Sequence, residues 1–132
     1  MKSAFLDANV LFSAAHAEFS PLLSLWKLRG VRLCSSAYAL EEARRNLQGE
    51  AALKRLSQLA STLVTVPEAD RRFVPASVSL AAKDIPILAA AIAAKAQYLV
   101  TGDKRDFGAL FGKTVAGVTV LIPRDFLALL EK

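Results

Sequence analysis

Four acidic residues stand at places where a folded chain is able to gather them: Asp7, Glu42, Asp84 and Asp103. Asp7 directly follows the apolar run Ala4-Phe5-Leu6, and Asp103 follows Tyr98-Leu99-Val100-Thr101, with Gly102 as a tight exit. A charge placed straight after a buried strand is costly unless it is solvated, paired or bound to a cation. Asp84 stands ahead of Pro86 and the apolar run Ile87 to Ile92, and Glu42 lies in the segment Tyr38 to Arg45. Taken singly, each has an ordinary explanation. The strand-end aspartates fit turns or caps, Asp84 fits a helix N-cap with proline in the first turn, and Glu42 fits a solvated helix face carrying Glu–Arg pairs. Taken together they pose a different problem, because converging carboxylates repel and at least one must stay protonated at neutral pH unless a cation joins them. With one histidine, His16, and one cysteine, Cys34, the chain lacks the ligands of a typical zinc site. All-oxygen donors suit Mg²⁺ or Mn²⁺, ions used to acidify water and neutralise charge in phosphate chemistry.

The elements that must position these residues are legible as short apolar runs alternating with helical stretches. Strands are predicted at Ser3–Leu6, Val31–Cys34, Thr62–Val66, Tyr98–Thr101 and Val118–Ile122, without the strict alternation of a half-exposed sheet. Helices are predicted over Leu11–His16, Pro21–Leu28, Tyr38–Leu47, Ala51–Ala60, Ile87–Ala96 and Arg124–Leu130. Gly30, Pro67, Pro75, Gly102, Gly117 and Pro123 punctuate the joins. The segment from Glu68 to Lys83 reads as a loop-rich link with a short helix around Asp70–Val74. Such alternation predicts an α/β fold, a three-layer α/β/α sandwich around a parallel sheet of four to five strands, spanning residues 1–132 as one domain. In open parallel sheets ligands gather beyond the carboxyl ends of the strands, where Asp7 and Asp103 fall.

Composition sets the outer bounds. A chain of 132 residues with 54% hydrophobic and 22% charged residues has the profile of a folded protein with its own core. A lone cysteine excludes an internal disulfide and fits a reducing cytoplasm. Asp7 and Asn9 interrupt any signal-peptide core, and the apolar stretch Ile85–Ala94 is too short to cross a bilayer. Seventeen Lys+Arg against twelve Asp+Glu leave a net charge of +5, which favours polyanionic partners.

The stretches Phe5-Leu6-Asp7-Ala8-Asn9-Val10-Leu11, Leu40-Glu41-Glu42-Ala43-Arg44, Asp84-Ile85-Pro86-Ile87-Leu88-Ala89-Ala90-Ala91 and Leu99-Val100-Thr101-Gly102-Asp103-Lys104-Arg105-Asp106-Phe107 resemble, in order, the signature blocks of the PIN domain family. Ile122 to Leu127 is similar to that family's last strand and helix. The resemblance implies a Mg²⁺- or Mn²⁺-dependent ribonuclease, often the toxin of a VapBC-type toxin–antitoxin pair, with an RNA substrate, an antitoxin partner and a homodimeric state. It assigns Asp7, Glu42, Asp84 and Asp103 to the acidic quartet, Asp7, Asp84, Asp103 and Asp106 to the metal, and Asn9 and Thr101 to support. It leaves open whether Glu41 or Glu42 is the helix ligand, and how the role is shared between Asp103 and Asp106.

Arg44, Arg45, Lys104 and Arg105 flank the acidic positions and are the candidate phosphate contacts, with plain solvated charge as the alternative. Lys54, Arg55, Arg71 and Arg72 are expected to be surface charges or partner contacts. His16 is expected to be exposed or packed and Cys34 to be a buried thiol. Tyr38 and Phe107 are expected to pack near the pocket, and Leu22 to Leu28 to serve the core first and a partner surface second. Two other readings compete. A phosphatase or phosphoreceiver domain asks for an Asp two residues after the first, or an acidic pair before it; Asn9 and Phe5-Leu6 occupy those places. A catalytically silent PIN-like module would bind RNA or protein but would bind Mn²⁺ poorly.

Overall fold

A computed structural model describes residues 2–131. The strands are β1 (Lys2–Leu6), β2 (Val31–Ser36), β3 (Val64–Val66), β4 (Tyr98–Val100), β5 (Thr114–Val115) and β6 (Val118–Leu121), in the sheet order β3-β2-β1-β4-β6-β5. The pairs β1–β2, β2–β3, β1–β4 and β4–β6 are parallel. The helices are α1 (Ala8–Ala15), α2 (Ala37–Asn46), α3 (Glu50–Ala60), α4 (Ile85–Ala93), α5 (Lys104–Phe107) and α6 (Pro123–Leu130).

The expected α/β architecture is present, with helices flanking a mostly parallel sheet, and it differs in some details. A sixth strand, β5, pairs antiparallel with β6 through a tight turn in which Ala116 and Gly117 both have positive φ, of 49° and 90°. That geometry matches the right-handed twist of a hairpin, but two residues are too few to show alternation in sequence. The segment Pro21–Lys27 is a 3-10 helix rather than an α-helix, started by Ser20, whose hydroxyl accepts from Leu22 N. The short helix expected around Asp70–Val74 is present as one 3-10 turn, Arg71–Phe73, and the short helix α5 is not among the expected elements.

Crossovers from β1 to β2 and from β2 to β3 run in one direction, and the right-handed rule places α1, α2 and α3 on one face, where they pack on one another. The return from β3 to β4 runs the other way and lays α4 against β2 and β4. The connection therefore reverses between β1 and β4, the switch point at which open sheets form a crevice. Phe5, Leu6, Leu11, Leu25, Leu88, Leu99, Val100, Phe107 and Phe126 are fully buried around these strands. Arg55 closes the end of α1, donating from Nε to Ala15 O at 2.8 Å and from the guanidinium to His16 O at 3.2 Å, where a cation meets unpaired helix carbonyls. Among the described residues no helix is long and apolar enough to cross a membrane.

A candidate metal centre at the switch point

Register places the first acidic group. Leu6 lies opposite Val100, so Asp7 and Thr101 leave adjacent parallel strands side by side, and Asp7 N donates to Val100 O at 3.0 Å. Asp7 then caps α1: its Oδ1 accepts from Ala8 N at 2.7 Å. Its Oδ2 accepts from the Thr101 hydroxyl at 2.8 Å and from Asn9 Nδ2 at 3.2 Å. Asn9 Oδ1 accepts from Gly102 N at 2.8 Å, and Thr101 Oγ1 also accepts from Asp103 N at 3.1 Å. The two small polar residues expected to give support are thus the links that tie the ends of β1 and β4 together. Burial pushes the Asp7 carboxyl up from its ordinary range, the hydrogen bonds from Thr101 and Ala8 pull it down, and the nearby charges of Glu42 and Asp103 raise it further.

Asp84 is held differently. It precedes α4 in the N-cap position but makes no side-chain capping bond, so the cap does not account for its carboxylate. The residue is 5% exposed, and its Oδ2 has no hydrogen-bond partner. Burial, then the neighbouring Asp106 carboxyl, raises Asp84 to about 7. Asp106 moves the opposite way, held below the ordinary carboxylate range by hydrogen bonding with Asp84 and Lys83. Asp103 caps α5, accepting from Asp106 N at 3.0 Å, which fixes the spacing of that pair.

Carboxylate oxygens of Asp84, Asp103 and Asp106 lie within 4.8 Å of one another. A small divalent ion bonded at about 2.1 Å to each ligand sets neighbouring oxygens about 3 Å apart. A modest closure of this trio therefore fits one, and an unpartnered buried oxygen on Asp84 is the group that gains most. Asp7 stays outside the trio but lines, with Asp84 and Asp103, a cavity of about 490 Å³ whose walls also include Asn9, Phe12, Glu42 and Lys83. The two glutamates of α2 face different ways. Glu42 lines the cavity, whereas Glu41 accepts from Arg44 Nε at 2.8 Å on the exposed side.

Of the sequence-chosen cations, Arg44 and Arg45 turn to Glu41, and Lys104 and Arg105 open α5 outside the cavity lining. Lys83 was not singled out by its sequence context, yet it lines the cavity with its ammonium 3.2 Å from Asp106 Oδ2. Tyr38 helps to place it, its hydroxyl donating to Lys83 O at 2.8 Å. His16 is exposed, stacks on Phe12 with ring centroids 5.4 Å apart, and is absent from the acidic cavity. Cys34 is buried, and desolvation pushes its thiol up to about 11, which leaves it inert.

The family model described as PIN domain matches residues 3–105. Among solved structures, the chain is similar to one in VapBC2 from Rickettsia felis bound to a DNA fragment from their promoter. The TM-score is 0.67 at 16% identity, over 89% of this chain and 96% of that one. It is also similar to a chain of FitAB bound to an IR36 DNA fragment, with a TM-score of 0.58 at 21% identity, over 91% and 94% of the two chains. No curated protein sequence matches it.

Proposed function

The chain belongs to the PIN domain family, and from that premise we propose that it is a metal-dependent endoribonuclease, the toxin half of a two-component toxin–antitoxin module. PIN domains are generally nucleases. The observation that carries the reading is the approach of Asp84, Asp103 and Asp106 to within 4.8 Å of one another, with Asp84 and Asp103 lining the same cavity as Asp7 and a buried Asp84 oxygen left unpartnered.

In this reading Asp84, Asp103 and Asp106 hold a Mg²⁺ or Mn²⁺ ion. When bound, such an ion lowers the pKa of a coordinated water and neutralises charge growing on phosphorus. Asp7, fixed by three donors, presents its carboxylate to the same space and orients water there. Glu42, reaching in from α2, accepts a proton from the attacking water or positions it. Thr101 and Asn9 keep Asp7 and Asp103 in register.

Both similar structures are two-component complexes seen on DNA, which supports a small DNA-binding antitoxin as the partner of this chain. Cleavage of single-stranded RNA in Mn²⁺ or Mg²⁺, abolished by chelation and by Asp84→Asn, is the expected result. Absence of both cleavage and Mn²⁺ binding in the purified chain would leave a silent PIN-like binding module instead. A short neighbouring reading frame whose product co-purifies with the chain would support the toxin role.

A further inference from the structure

An acidic cavity that is to receive a phosphodiester needs a positive side chain as well as an ion. Among the residues that line this one, Lys83 is the one cation, alongside Asp7, Glu42, Asp84 and Asp103. Its base is fixed, because its carbonyl accepts from Tyr38 on α2 at 2.8 Å and the next residue opens α4. Its side chain is 61% exposed, so the ammonium stands in solvent at the edge of the site and is not locked in the core.

We propose that Lys83 is the residue that grips the phosphate of the RNA substrate. This rests on the ribonuclease reading above. In the metal-free protein the ammonium sits 3.2 Å from Asp106 Oδ2 and offsets the repulsion among the carboxylates. A divalent ion engaging Asp106 removes that attraction and replaces it with like-charge repulsion. The freed ammonium is then available to an entering phosphate, which a lysine binds well as a compact point charge. The same side chain thus stabilises the empty pocket and selects a charged substrate once the ion is in place.

The test compares wild type, Lys83→Met and Lys83→Arg by Mn²⁺ titration calorimetry, by binding of a single-stranded oligoribonucleotide in Ca²⁺, and by cleavage in Mn²⁺. For Lys83→Met, Mn²⁺ binding is expected to be unchanged or a few-fold tighter. Oligonucleotide affinity and kcat/KM should each fall about tenfold or more, and the salt dependence of binding should become shallower by about 0.7 in log–log slope. Lys83→Arg should keep most of both. Unchanged oligonucleotide binding and salt slope in Lys83→Met would overturn the inference, as would a loss of cleavage that tracks weakened Mn²⁺ binding. If wild type neither cleaves RNA nor binds Mn²⁺, the ribonuclease reading fails and the inference falls with it, whereas an active wild type with unchanged oligonucleotide binding in Lys83→Met overturns the inference alone.

Discussion

Asp7 and Asp84 face the same cavity and are almost equally sealed from solvent, at 3% and 5% exposure, yet they are held in opposite ways. Asp7 accepts from Ala8, Asn9 and Thr101, and the same Thr101 hydroxyl reaches Asp103 N. Asp84 caps nothing and leaves Oδ2 unpartnered. The β1–β4 side of the pocket is complete as the chain folds, with its donors supplied by register. The α4 side carries a deficit of positive charge that, among the described residues, Lys83 partly relieves. One wall supplies fixed geometry and the other supplies an electrostatic demand that a bound cation would meet.

The largest expected effect comes from neutralising each wall in turn. Asp84→Asn should lower cleavage by about 10³-fold, the scale of several kcal/mol of lost transition-state charge stabilisation. It should also raise the stability of the metal-free protein at neutral pH by about 1 kcal/mol, since it removes a buried carboxylate with an unpartnered oxygen. Asp7→Asn should lower cleavage comparably without that gain. In either amide orientation its NH₂ would meet a donor, Ala8 N on one side or Asn9 Nδ2 on the other. Thermal melts in chelator separate the two, and equal stabilisation by both substitutions would erase the distinction between the walls.

The pH dependence of stability is the next effect in size. Asp84, raised from 3.8 to about 7, keeps its proton in the folded chain over a range where the unfolded chain has lost it. The stability this contributes is full below about 4 and is lost as pH rises through about 7, by up to a few kcal/mol. Asp7, raised mainly by burial, acts in the same direction. The lowered Asp106 acts oppositely, contributing above its unfolded value and losing that contribution in acid. Metal-free protein should therefore melt at lower temperature at pH 7.5 than at pH 5, and saturating Mn²⁺ should reverse the slope because the ion favours ionised ligands. A melting temperature that rises across that interval in chelator would show that Asp84 is satisfied in a way the structure does not contain.

Thr101→Val probes the finished wall alone. The threonine is fully buried, and an apolar isostere would leave Asp7 Oδ2 without its shortest partner and Asp103 N without an acceptor. A loss of about 1–3 kcal/mol is expected, recovered in large part by Thr101→Ser, with denaturant melts as the measure. A cost near zero would mean that the Asp7 network is held by the backbone alone.

The contrast between the walls also explains what the sequence made visible. Asp7 and Asp103 are legible because each follows a short apolar strand, and a parallel sheet sends consecutive strand ends to one side. Asp84 is legible as the residue before a proline-led helix, but its missing capping bond is a matter of side-chain aim that no pattern records. Glu41 and Glu42 are indistinguishable in composition and are separated only by the rotation of α2, which turns one to Arg44 and the other to the cavity. Lys83 lies at the end of the least regular segment, where no periodicity predicts direction, and its place depends on the long-range bond from Tyr38. The hairpin strand β5 and the four-residue helix α5 are likewise too short to carry a period.

The smallest expected effect is the most direct test of rigidity in the finished wall. A Cβ built on Gly102 would lie 3.3 Å from Asn9 Oδ1, closer than ordinary van der Waals contact. That oxygen already accepts from Gly102 N at 2.8 Å, while the other end of the amide is tied to Asp7 Oδ2 and Thr101 Oγ1, each at 3.2 Å. Moving it away therefore stretches three hydrogen bonds at once. Against this, alanine restricts the unfolded chain and so favours folding by about 0.4–1 kcal/mol where its native conformation is accessible. The two effects should nearly cancel, leaving Gly102→Ala within about 0.5 kcal/mol of wild type on the unfavourable side, with cleavage reduced no more than a few-fold. A variant clearly more stable than wild type would show that Asn9 yields freely, and the β1–β4 wall would then be as adjustable as the one built around Asp84.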